Sequence, residues 1–222
     1  MKDDMQKFEQ YYPDNWEWRE SRPTGERTKW GGLNDSPYVT GPKVGGKPVW
    51  CPAYAKWRDM LRRVYSPREL ARRPTYIGTE VCKEWLDSFM AYREWFFVEL
   101  SKTDLQAGVG QVDKDFLTDC KLYSPETCIL IPNALNKLLT DSGAIRGDLP
   151  QGVRKRRSGY EGTVCTPNGR RSKTFKTAHE AAGWYRDRKI EVIKSAPIPY
   201  WLDETKIRNR LLDIFNFGLL AQ

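Results

Sequence analysis

Two stretches of the chain hold residue types that do chemistry. The first is Asp113-Lys114-Asp115, an amine between two carboxylates. Carboxylate oxygens suit a hard divalent cation that keeps several waters, Mg²⁺ or Mn²⁺, better than they suit zinc. The second stretch runs from Gln151 to Ser195, where 12 Lys and Arg stand against 4 Asp and Glu. The chain as a whole has 37 basic and 29 acidic residues, a net charge of +8, so this one segment carries the entire excess. A scattered surplus would be a solvated face. Concentration in one small module points instead to a polyanion, with nucleic acid ahead of an anionic membrane. A membrane-surface role calls for an amphipathic basic helix, whereas here many of the charges alternate with Val153, Tyr160, Val164 and Phe175 in strand-like segments.

Such groups need a scaffold, and the composition provides one. The 222 residues are 39% hydrophobic and 13% aromatic, with nine Trp, which supplies large buried area per residue and excludes a wholly disordered chain. No run approaches 18 apolar residues, and Met1 to Gln10 has neither a basic start nor an apolar stretch, so neither a membrane span nor a secretion signal is expected. Five cysteines, at 51, 82, 120, 128 and 165, are odd in number and form no C-x-x-C pair. A disulfide framework or a four-thiolate zinc site is therefore not expected, and a reducing compartment is.

The elements follow from periodicity. Residues 1–50 scatter Gly, Pro, Asp and Asn between isolated aromatics and read as a loop-rich arm. Within 51–141, Tyr54, Trp57, Leu61, Val64 and Tyr65 recur as one helix face, and Val81, Trp85, Phe89, Tyr92 and Phe96 as another over about four turns. Aromatic stripes at that spacing are core, so the two helices pack together and carry no chemistry. After Ser101 the pattern shortens: a strand at Gln111, a loop, a strand over Cys128 to Ile131, then a helix capped by Asn133 with Leu135, Leu138 and Leu139 on one side. Residues 142–150 form a linker. Three strands are expected at 152–157, 159–165 and 170–176, the last two joined at Pro167-Asn168-Gly169, where Asn-Gly favours a tight hairpin. Thr177 and Glu180 form a capping box opening a helix that carries Ala181, Trp184 and Tyr185 and ends the module at 195. In the final segment, 196–222, Ile207, Leu211 and Phe215 stand in helical register. The fold class is α+β.

A sheet of three strands backed by one helix can set its exposed face into a DNA groove. If Val153 faces the helix, Arg154 and Arg156 face outward, and Arg170 and Ser172 lie outward on the third strand, opposite in phase to Phe175. The sequence Gly152-Val153-Arg154, the aromatic Tyr160, the Asn168-Gly169 turn, and Thr174-Phe175-Lys176-Thr177 followed by Glu180-Ala181-Ala182 and Tyr185 resemble the DNA-binding domain of the AP-two/ERF class of plants, which also occurs in phage nucleases. The chain departs from the plant pattern in lacking Leu-Gly before the Phe position and in having fewer sheet tryptophans, so no target sequence carries over. Double-stranded DNA is the implied partner, with Arg154, Arg156, Arg157, Arg170, Arg171 and Lys173 as contacts.

The central segment has its own resemblance. Trp57 to Tyr65, Pro74-Thr75-Tyr76, Val81-Cys82-Lys83-Glu84-Trp85, Asp113 to Leu117 and Tyr123 to Cys128 are similar to the HNH-like (ββα-metal) endonucleases common in bacteriophages, which often carry an AP-two-like domain at the C-terminal end. This resemblance implies a ββα-metal-like core in which Asp113 and Asn136 bind one Mg²⁺ or Mn²⁺ and the chain hydrolyses a DNA phosphodiester as a homing-type endonuclease in the infected host cytoplasm. Lys114 stands where the wider family has its base histidine, and the only histidine, His179, lies in the basic module. The Asp-Lys-Asp triplet is itself the usual form in this phage subgroup. As a base, Lys114 would need its pKa lowered from about 10.4 to about 7, costing roughly 4.6 kcal/mol. As a cation it would stabilise charge on the phosphorane or leaving oxygen, with Asp115 or the metal activating water. A plain phosphate contact for Lys114 and a surface role for Asp115 remain open. The phage family also often has Cys near the positions of Val64 and Thr79, together with Cys51 and Cys82; two of the four are absent here, and no structural zinc is expected. The rival reading is a non-catalytic DNA-binding protein retaining the fold, and a weaker third is a virion or host-interaction protein using the basic face on an acidic protein.

Overall fold

A computed structural model of the chain describes residues 7–21, 25–139, 148–166 and 169–220. The chain divides into two compact units, Met1–Asn133 and Ala134–Gln222. Most of the expected 142–150 linker and the Asn168 of the expected hairpin lie outside the described residues.

The first unit is built around aromatic side chains. A short antiparallel pair, β1 (Lys43–Val44) and β2 (Lys47–Pro48), closes the arm and leads into helix α1 (Pro52–Tyr65). Pro52 opens α1 at a position that needs no N–H donor, and Arg62 and Arg63 complement the dipole in its last turn. Trp57, Met60, Leu61 and Val64 are its buried stripe. A second proline starts α2 (Pro67–Arg72), and the strand β3 (Glu80–Val81) follows a 3₁₀ turn at Pro74–Tyr76.

The helix expected over Val81 to Phe96 is divided. Val81 belongs to β3, and the helical residues split into α3 (Lys83–Asp87) and α4 (Phe89–Ser101). Ser88 separates them: its backbone is extended, at φ −151° and ψ 116°, and its side chain accepts the N–H of Ala91 as an N-cap. The arm reinforces the break, because Asp35 accepts hydrogen bonds from Ser88 Oγ at 2.6 Å and Met90 N at 2.9 Å. Trp57 Nε1 donates to Trp85 O at 2.8 Å, fastening α1 to α3.

The loop-rich arm thus belongs to the core. Phe8, Tyr12 and Tyr38 are buried, and they surround the guanidinium of Arg93 on α4 at 5.4, 5.9 and 5.6 Å from their ring centroids. Arg93 Nε donates to Tyr12 Oη at 3.0 Å. A buried cation needs such partners, and here rings and a hydroxyl provide them.

Beyond α4 the antiparallel pair β4 (Gln111–Asp113) and β6 (Ile129–Ile131) brackets β5 (Leu122–Tyr123), which pairs in parallel with β3. The four-residue helix α5 (Asn133–Asn136) follows β6 at once. The strand, loop, strand, helix order is therefore present, with the addition that β5 pins the loop to β3.

In the second unit β7 (Val153–Arg156), β8 (Gly159–Thr166) and β9 (Gly169–Phe175) form an antiparallel sheet in that order. Helix α6 (Ala178–Ser195) backs it, opened by the capping box between Thr177 and Glu180. Two glycines make the contact possible. Gly152 has φ +75°, and a Cβ there would stand 2.1 Å from the Tyr185 ring; one on Gly162 would stand 2.8 Å from Ala181 O. Helix α7 (Glu204–Leu220) buries Ile207, Leu211 and Phe215, and its Arg208 donates to Ile193 O at 2.7 Å at the end of α6.

Candidate functional site

Asp113 is the last residue of β4 and only 8% exposed. Its Oδ1 accepts the backbone N–H of Asp115 at 2.8 Å and of Phe116 at 3.1 Å, which fixes the carboxylate as the chain turns out of the strand. Burial first, and then the charge of Asp115, push its pKa up to about 6, despite those two donors and Lys114 pulling the other way. Lys114 is also buried, at 7%; its Nζ pairs with Asp115 and lies 5.9 Å from the centroid of the Tyr123 ring. Asp115 is exposed.

The pairing of β3 with β5 sets the rest of the site. It holds the loop after β4 against the 3₁₀ turn, so that Thr75, Tyr76, Lys114, Asp115, Asp119 and Lys121 line one cavity of about 200 Å³. Lys121 Nζ donates to Ile77 O at 2.7 Å across the same seam. The cavity therefore combines two lysines and two carboxylates with a hydroxyl and a phenol.

As to a cation, Asp113 offers one oxygen locked by backbone donors and a second, Oδ2, with no hydrogen-bond partner among the described residues. That is a fitting ligand for a hard cation, which would relieve the same charge that raises the proton affinity of the group. Among the described residues no three His, Cys, Asp or Glu side chains converge as a metal cluster. The donor types near Asp113 match an ion that keeps several waters rather than a closed zinc site. Asn136 is the last residue of α5, half-buried, and belongs to the second unit. Cys51 is fully buried, and its thiol donates to Tyr12 Oη at 3.5 Å.

On the basic sheet the register divides the expected DNA contacts. Val153, Gly162 and Lys173 are opposed in one row, and Tyr160 and Phe175 in another. These rows face α6, since Gly162 abuts Ala181 and the Phe175 and Trp184 rings lie 6.1 Å apart. Alternation then puts Arg154, Arg156 and Arg170 on the outward face with Ser172. Arg171 and Lys173 alternate to the helix side, yet are exposed along the edge strand β9. Arg157 lies in the turn after β7 and is exposed.

The outward arginines have a partner that sequence reasoning passed over. Glu161 on β8 stands directly opposite Arg154. Its carboxylate accepts from Arg154 Nε at 2.7 Å and Nη2 at 3.1 Å, and from Arg156 Nε. These contacts, Arg154 first, hold its pKa down at about 2. The signal was available: strands ending at Arg156 and resuming at Gly159 around a two-residue turn put 154 opposite 161 by counting. Tyr76, Asp119 and Lys121 were missed for another reason, because the β3–β5 pairing that assembles them joins two-residue strands with no periodicity. No family model, curated protein or solved structure matches this chain. Among the described residues, no helix is long and apolar enough to cross a membrane.

Proposed function

We propose that this chain binds double-stranded DNA through the outward face of β7–β9 and hydrolyses a DNA phosphodiester at the Asp113 site with the help of Mg²⁺ or Mn²⁺, as an endonuclease of the phage HNH homing type. The observation that carries the binding half is the sheet face opposite α6, on which Arg154, Arg156 and Arg170 are in phase and exposed. The catalytic half is supported by a buried, backbone-oriented carboxylate beside a cavity that holds both cations and carboxylates.

In this reading Asp113 holds the cation, which would supply charge neutralisation at the scissile phosphate when bound. Asp113 is oriented for that role by the N–H groups of Asp115 and Phe116. Lys114, paired with Asp115, supplies positive charge to the phosphorane and the leaving oxygen, and Asp115 takes a proton from the attacking water. Lys121, which lines the same cavity, offers a second phosphate contact.

The rival reading is a non-catalytic DNA-binding protein. One observation favours it: Lys114 is buried and paired with Asp115, which suits a fixed electrostatic contact as well as catalysis. Mg²⁺-dependent nicking of duplex DNA, with Asp113→Ala as control, separates the two.

A further inference from the structure

We propose that Glu161 is a positioning residue for sequence discrimination: it holds Arg154 and Arg156 as an ordered pair aimed at base edges and withholds them from phosphates. This inference rests on the DNA-binding reading of the β7–β9 face.

The geometry is that of a buried foot under two exposed forks. The Glu161 side chain is 10% exposed, while those of Arg154 and Arg156 are 46% and 48% exposed. Arg154 spends Nε and one Nη2 hydrogen on the carboxylate, and Arg156 spends Nε. A guanidinium has five N–H donors, so among the described residues each keeps a terminal pair available to meet guanine O6 and N7. Two arginines anchored on one carboxylate have already lost the rotamer freedom that a loose arginine gives up on binding. A carboxylate at the centre of a basic face also repels phosphate oxygens, so it lowers the sequence-independent part of the affinity. Basic residues alone would make this face tighter and less selective.

The test uses the full chain and a random-sequence duplex library in EDTA, which prevents cleavage. The parent is expected to enrich one sequence motif. E161Q keeps the side chain's shape and removes its charge; it is expected to bind the unselected library at least about fivefold tighter and to lose most of the enriched motif, the scale of one good base contact. Its slope of log affinity against log salt should steepen by about 0.9 for each arginine that moves to a phosphate. If E161Q enriches the same motif as strongly and binds the unselected library no tighter, Glu161 is a structural residue and the inference falls. A parent that binds with salt sensitivity but enriches nothing also overturns it, while leaving the DNA-binding reading intact. A parent without salt-sensitive affinity defeats that underlying reading itself. An independent measurement on the parent needs no variant: the Nε–H protons of Arg154 and Arg156 should be protected from exchange in the free protein and shift on addition of the enriched duplex. Free exchange of both would overturn the ordered pair.

Discussion

Asp113 Oδ1 accepts the backbone N–H of Asp115 at 2.8 Å, while the carboxylate of Asp115 turns away to pair with Lys114. Two acids two positions apart are thereby given different work. Asp113 is buried, oriented and reluctant to ionise, whereas Asp115 is exposed and tied to an amine. A cation at Asp113 would compete with a proton for the same carboxylate, and that competition is measurable.

The folded-state pKa of Asp113, about 6, lies above its ordinary 3.8, so the folded chain holds this proton more tightly than the unfolded one. Its contribution to stability is therefore greatest below pH 3.8 and declines as pH rises through 6. Asp113→Asn removes the penalty and should stabilise the protein at pH 8 by up to about 3 kcal/mol, with the difference vanishing below about pH 4. Thermal melts across that range check this. Millimolar Mg²⁺ should raise the melting temperature of the parent at pH 8 and leave the variant unmoved.

Arg154 and Arg156 should matter more to DNA affinity than Arg186 and Arg188 on the backing helix α6. The first pair lies on the outward sheet face; of the second, Arg188 already pairs with Glu191 at 2.7 Å. Full-length double alanine variants titrated with duplex DNA should show losses of about 1–3 kcal/mol per base contact for the sheet pair and far less for the helix pair. Neutralisation of about five phosphates gives the parent a salt slope near −4.5. Equal losses in the two variants would mean that another face meets DNA.

Glu161 titrates in the opposite sense to Asp113. Its pKa is depressed from 4.5 to about 2 by Arg154 and Arg156, so its contribution is fully present above pH 4.5 and is lost as pH falls through 2. The stability gap between parent and Glu161→Gln, followed by circular dichroism at fixed temperature, should be constant from pH 7 to 5 and close towards pH 2. A gap independent of pH would show that the ion pairs contribute nothing to folding.

The basic module was the most legible part of the sequence because each of its signals is local. The Thr177 and Glu180 capping box, the alternation around Val153 and Val164, and the phase of Phe175 each follow from residues a few positions apart, and the observed strands fall within a residue or two of the expected ones. The helix expected across Ser88 failed because the apolar stripe from Trp85 to Phe96 keeps its spacing while a serine with Asp35 behind it turns the backbone. That contact spans 53 positions and leaves no periodic trace. Asp113 was legible as a residue type at a strand end. Its burial, and the cavity formed with Tyr76 and Lys121, depend on a parallel pairing of two-residue strands that no pattern announces.

The central claim is cleavage at the Asp113 site, and nicking of supercoiled plasmid DNA in Mg²⁺ measures it most directly. The parent should accumulate nicked circles, EDTA and Asp113→Ala should abolish them with DNA binding retained, and Lys114→Arg should keep substantial activity if Lys114 supplies charge rather than acting as a base. Intact plasmid with the parent and with Lys114→His, which introduces the base histidine of the HNH family that the sequence resembles, while both still bind DNA, would contradict the endonuclease reading and leave a protein that only binds.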